Sequence, residues 1–181
     1  MLFRSRFIQH IIHLSKFSDL KGHLFFIENY DVHVARQMVS GCDVWLNNPR
    51  RPLEASGTSG MKCGCHGCLN MSIMDGWWRE GYDGTNGFAI GTDAHAENID
   101  EQDQQDSAHL YATLTREIIP CFFSRDANGL PRQWISRIRR AWVTLASQFS
   151  TDRMVREYTQ KYYTTAPRAG ADDVRSAGGG R

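Results

Sequence analysis

Apolar residues along this chain recur in two rhythms, one helical and one that of short continuous runs. Phe7, Ile8, Ile11, Ile12 and Leu14 stand at helical spacing and predict an amphipathic helix over 7–17, ended by Ser18-Asp19 and Lys21-Gly22. Leu24-Phe25-Phe26-Ile27 is a short unbroken run, as in a parallel strand buried on both faces. Asp31 predicts a helix cap, with Val32, Val34, Ala35, Met38 and Val39 on the inner face that follows and Gly41 as the stop. Cys42–Leu46 reads as the next strand and 47–57 as a loop. A helix is predicted from Thr58 to about Gly67, a third strand over Leu69–Met74 and a short fourth over 87–91.

Strands and helices alternating at these lengths predict right-handed crossovers and a parallel sheet, an α/β fold. Ligands of such sheets gather at the carboxyl ends of the strands. The segments Glu28-Asn29-Tyr30, Glu54–Lys62 and Asp75-Gly76 all follow predicted strands. The second half is helical. Residues 94–106 are acidic and read as a surface loop. Residues 106–123 predict a helix with Leu110, Leu114, Ile118 and Phe122 on one stripe. After a turn at 126–131, a helix over 133–148 places Trp134, Ile138, Ala141, Trp142 and Leu145 inward. Ser150 or Thr151 caps a last helix over 152–163. The expected organisation is one domain over 1–163 with a C-terminal helical layer. Residues 164–181, rich in Gly, Ala, Asp and Arg, are expected to be a disordered tail.

The length of 181 residues suffices for one core, and a net charge of +1 gives no sign of a nucleic-acid partner. No stretch is apolar enough to span a bilayer, and the first thirty residues lack the long apolar run of a secretory signal, so a cytoplasmic setting is expected. The five cysteines are an odd number, and three crowd into Cys63-Gly64-Cys65-His66-Gly67-Cys68, which argues against a disulfide framework. That cluster suggests zinc on residue types alone. On a helix, however, 65 and 68 share one face and 63 and 66 another, and four ligands within six residues do not close a tetrahedron. The reading is therefore buried cysteines acting as small hydrophobes and no metal. Gly64 and Gly67 weaken the helix by about 1 kcal/mol each relative to alanine.

The segment Glu54-Ala55-Ser56-Gly57-Thr58-Ser59-Gly60-Met61-Lys62 concentrates the chemistry. A Gly-rich turn entering a helix leaves N–H groups free, and these with the helix dipole suit a phosphate. A lysine one turn inside such a helix lies near the bound anion and can hold a carbonyl cofactor as a Schiff base. Glu54 can accept hydroxyl protons of a ligand, or pair with Arg50 or Arg51 within the loop. Trp77 and Trp78 can stack on sugar rings or pack beneath the loop.

Arg50–Lys62 resembles the pyridoxal-phosphate lysine motif of the α-glucan (glycogen, starch, maltodextrin) phosphorylases. Asn70-Met71-Ser72-Ile73-Met74-Asp75-Gly76-Trp77-Trp78 and Glu80–Gly87 resemble the short bacterial-type branch. Phe26–Asp31, Asp43–Asn47, Phe149-Ser150, Arg153–Val155 and Glu157-Tyr158 are similar as well. The likeness runs from about Ile8 to about Tyr163, whereas Met1–Ser5 has no counterpart and the cysteine cluster departs from the family.

The resemblance implies part of the C-terminal, Rossmann-like domain of a two-domain GT-B glycosyltransferase, with the active site in the cleft toward an N-terminal domain that the chain lacks. The implied activity is phosphorolysis of an α-1,4-glucan, with inorganic phosphate and glucose 1-phosphate as the other ligands. The implied cofactor is pyridoxal 5′-phosphate on Lys62, its phosphate acting in proton transfer. Thr58, Ser59 and Gly60 correspond to phosphate-cradling positions, and Glu54, Ser56 and Gly57 to positions that hold glucosyl hydroxyls. Tyr30 corresponds to a position near the cofactor ring, the alternative being a core tyrosine. A homo-oligomer is left open. Two other readings stand beside this one: a nucleotide-sugar glucosyltransferase of the same fold, such as a glycogen synthase, and a catalytically silent fragment. The chain by itself is expected to lack phosphorolysis activity.

Overall fold

Each crossover from strand to parallel strand needs an intervening segment that packs on the sheet, and the chain supplies two. In the computed structural model, which describes residues 2–17, 19–92 and 98–164, three parallel strands lie in the order β1 (Val44–Asn47), β2 (Leu69–Ile73), β3 (Phe88–Ile90). Val44 pairs with Leu69 and Met71 with Phe88, which fixes the register on both sides of β2. The tail expected at 164–181 lies, except for Thr164, outside the described residues. Two compact units are distinguished, Met1–Met38 and Val39–Arg181.

In the first unit, α1 (Leu2–Phe17) starts five residues before its predicted position. The strand predicted over Leu24–Ile27 does not form. The segment is irregular and Phe25 is 74% exposed. A parallel strand exists only when its backbone groups are paired, and among the described residues no ladder meets this run. Helix α2 (Val32–Gly41) begins as predicted. Asp31 Oδ1 accepts from the N–H groups of His33 and Val34, each at 2.9 Å. Val32 is exposed, not on the inner face, whereas Val39 is buried.

The second unit is built around β2, all five of whose residues are buried. Helix α3 (Thr58–Cys63) crosses from β1 to β2 and is shorter than predicted. Residues 64–67 are turn, with Gly67 at a φ of 77°. Helix α4 (Trp77–Gly81) brings Trp77 and Trp78 into the core, with exposures of 3% and 0%, so both pack beneath the loop. Trp78 Nε1 donates to Phe88 O at 3.2 Å, and Trp77 meets Phe149 edge to face.

Of the loop expected over 94–106, residues 94–97 lie outside the described residues and 99–106 are helical: α5 (Ile99–Thr113) continues through a π-helical turn at Leu114–Ile118 into α6 (Ile119–Phe123). The polar inner residues Gln102 and Asp106 conceal α5 from a hydrophobic-stripe reading. Helix α7 (Arg132–Ala141) runs into a second π-helical turn at Trp142–Ala146. Trp134, Ala141 and Leu145 reach the core as predicted, while Trp142 is 49% exposed. Helix α8 (Thr151–Tyr158) is capped by Ser150, whose Oγ accepts from Asp152 N at 3.2 Å.

Candidate active site

The loop after β1 and the turn after β2 are clamped together by their backbones. Asp75 Oδ2 accepts from Glu54 N at 3.0 Å, and its Oδ1 accepts from Gly76 N at 2.9 Å. Trp77 N donates to Ser56 O at 2.8 Å. Gly76 has φ 53° and ψ −136°, and a β-carbon there would stand 2.7 Å from Ser56 O. The turn therefore requires glycine for conformation and for space. Gly57, at φ 86°, then turns the chain into α3.

Lys62 lies one turn into α3, solvent-exposed. Its Nζ donates to Thr58 O at 3.1 Å, and among the described residues no carboxylate pairs with it. Thr58 is exposed and Ser59 half-buried in the first turn of the helix, where leading amides lack an intrahelical acceptor and no side chain caps them. Gly60 is buried and its N–H donates to Gly57 O at 3.2 Å. A β-carbon on it would meet Asn70 Oδ1 at 2.7 Å and Trp77 at 3.1 Å, so its evident task is to let α3 lie directly on β2 and α4. Asn70 Oδ1, Asn70 Nδ2 and Trp77 Nε1 are buried without partners at this contact.

Glu54 is not committed to its neighbouring arginines. Arg50 pairs with Asp103 at 2.6 Å on the surface, and Arg51 pairs with Asp106 at 2.6 Å in the interior. Arg51 also donates to Thr92 O, and Gln102 Nε2 donates to Arg51 O at 3.4 Å. This buried ion pair ties the loop after β1 to α5. It went unseen in the sequence because Asp106 stands in an acidic run with no spacing to single it out.

The structure thus brings Glu54, Ser56, Gly57, Thr58, Ser59, Gly60 and Lys62 into one loop-and-helix segment at the carboxyl edge of the sheet. Tyr30 belongs to the first unit and is exposed there. A separate cavity of about 290 Å³ lies at the strand ends, between Ile73, Ile90, Asp103 and Leu110, and residues 54–62 do not line it. Cys63 and Cys68 are buried, whereas Cys65 and His66 face outward.

The chain thus has a parallel α/β sheet with an exposed lysine following a glycine-rich turn at the carboxyl ends of its strands, the edge at which sheets of this class take their ligands. The model of the carbohydrate phosphorylase family matches residues 9–122, and the chain belongs to that family. It is 44% identical over 160 residues to the maltodextrin phosphorylase of Thermococcus litoralis, covering 88% of this chain and 19% of that protein. It is 42% identical to the glycogen phosphorylase of Mycobacterium tuberculosis, covering 88% of this chain and 18% of that one. For the glycogen phosphorylase of Aquifex aeolicus the identity is 43%, with 88% and 22% covered. The chain thus spans about a fifth of the length of these curated relatives. Among the described residues no helix is long and apolar enough to cross a membrane.

Proposed function

We propose that this chain carries the cofactor-holding part of an α-1,4-glucan phosphorylase, cytoplasmic and of the GT-B architecture, that converts glucan and inorganic phosphate to a shortened glucan and glucose 1-phosphate. The observation that carries the reading is the exposed Lys62 amine, on a helix whose preceding loop is fastened to the turn after β2 through Asp75 and Trp77.

The residues present fit pyridoxal 5′-phosphate. Lys62 Nζ is accessible and would hold the carbonyl carbon. The open amides and hydroxyls of Thr58 and Ser59 would receive the phosphate. Gly60 serves by close packing and not by its amide, which Gly57 O already occupies. When bound, the cofactor supplies a phosphate with a second pKa near 6, suited to proton transfer near neutrality. Glu54 is free to accept hydroxyl protons from a glucosyl unit, and its backbone is fixed by Asp75 so that the carboxylate is presented from a constant position. A carboxylate used in this way rejects analogues that lack the hydroxyl. The remainder of the cleft would come from a further domain, as the relatives' greater length suggests.

Incubation with pyridoxal 5′-phosphate, borohydride reduction and peptide mapping test the reading. The pyridoxyl group is expected on Lys62. Labelling confined to Lys16, Lys21 or Lys161 would refute it.

A further inference from the structure

Two thiols that the site does not use lie against each other beside it. Cys42 Sγ is 3.3 Å from Cys68 Sγ. Cys42 precedes β1 and Cys68 precedes β2, and Leu69 N donates to Asp43 O at 2.9 Å between them. Neighbouring strands stand about 4.8 Å apart, a backbone spacing that a disulfide spans. Cys68 is almost fully buried, while Cys42 is only half-buried and gives a small reagent a way in. Burial, together with the hydrogen bond and proximity to Cys68, pushes the Cys42 thiol up to about 12. The hydrogen bond with Cys63 and then burial push Cys68 up as well. Both therefore rest protonated, which lets two sulfurs sit in contact without charge repulsion.

We propose that Cys42 and Cys68 are an oxidative modification site, closed to a disulfide by a low-molecular-weight disulfide such as oxidised glutathione. Cys42 loses its proton, a step its raised pKa makes slow near neutrality and faster at alkaline pH, and attacks one sulfur of the reagent, forming a mixed disulfide and releasing one small thiol. Cys68 loses its proton and attacks Cys42 Sγ, expelling the second small thiol. The protein is oxidised by two electrons, the reagent is reduced by two, and the two protons end on the two released thiols. The ring so closed spans 42–68 and encloses β1, Glu54, Gly57 and Lys62. The modification therefore tethers the whole segment that forms the candidate site.

The full chain is incubated with oxidised glutathione, quenched in acid, alkylated and analysed by intact mass and by tryptic mapping without reduction. The expected product has lost the mass of two hydrogens and yields a Cys42–Cys68 cross-linked peptide pair. Cleavage after Lys62, inside the ring, leaves the two pieces joined until a reductant separates them. Cys65→Ser keeps this behaviour and Cys42→Ser abolishes it. Glutathione adducts on Cys65 with no loss of hydrogen, or a Cys63–Cys68 cross-link in place of Cys42–Cys68, would overturn the proposal. The mapping of the unsubstituted chain decides this even if a variant fails to fold.

Discussion

Asp75 holds Glu54 by its backbone: the Oδ2 of one accepts the N–H of the other at 3.0 Å, across 21 residues of chain. The same carboxylate accepts Gly76 N through its other oxygen. One side chain thus organises both loops at the carboxyl edge of the sheet. Replacing Asp75 by Ala leaves two partly buried N–H groups without acceptors and is expected to cost about 1–3 kcal/mol. Asp75→Asn keeps one acceptor oxygen and is expected to cost less. Urea denaturation of both variants checks the order, and losses near zero in both would show that the clamp does not stabilise the fold.

Gly76→Ala is expected to be as damaging by a different route. The β-carbon would stand 2.7 Å from Ser56 O, on backbone with φ 53°. Strained backbone of this kind costs about 1–3 kcal/mol. A shift in the denaturation midpoint without a change in slope is the expected signature.

Lys62→Ala is expected to leave stability within about 0.5 kcal/mol, because the side chain is exposed and makes one bond to its own helix. The same change should abolish pyridoxyl labelling at the site. Mass spectrometry after borohydride reduction reads the second effect, and calorimetry the first. Retained stoichiometric labelling in this variant would mean that another amine holds the cofactor.

The Arg51–Asp106 pair makes a contrasting case. Both side chains are buried, and Asp106→Ala would strand the Arg51 guanidinium, at a cost of about 3–5 kcal/mol. The double change Arg51→Met with Asp106→Leu removes both charges and is expected to recover part of that loss. Thermal unfolding of the single and double variants measures the coupling.

Asp83 gives a pH dependence. Burial raises its pKa, but hydrogen bonds from Thr85 and the Arg140 guanidinium outweigh that and hold it below the ordinary 3.8. A carboxyl with a lowered folded pKa contributes stability that is present above the unfolded value and lost as pH falls through the folded one. Asp83→Asn is therefore expected to flatten the acid limb of the stability curve below about pH 4. Melting temperatures between neutral pH and that region check it, and an unchanged acid limb would count against the assignment.

What could be read from the residues alone follows from locality. The Asp31 cap, β1, β2, β3 and the stripe Leu110–Phe122 rest on neighbours within a few residues, and all are found. The loop-and-helix segment from Glu54 to Lys62 was also legible, because its glycines and lysine are consecutive. Helix α5 was not. Its inner face carries Gln102 and Asp106 because it packs against the side chain and carbonyl of Arg51, a partner some fifty residues away. The strand at Leu24–Ile27 failed for the opposite reason. A hydrophobic run predicts burial, but a strand also needs an adjacent ladder, and the run itself says nothing of one.

At Gly60 no side chain separates the lysine-bearing helix from the strand beneath it: a β-carbon there would stand 2.7 Å from Asn70 Oδ1. With no pliable layer between them, α3 has little freedom to rise or slide without disturbing β2. Hydrogen exchange should report this as shared protection. Amides of Met61 and Cys63 are expected to open together with those of Asn70 and Met71, and an adduct on Lys62 to slow both groups in parallel.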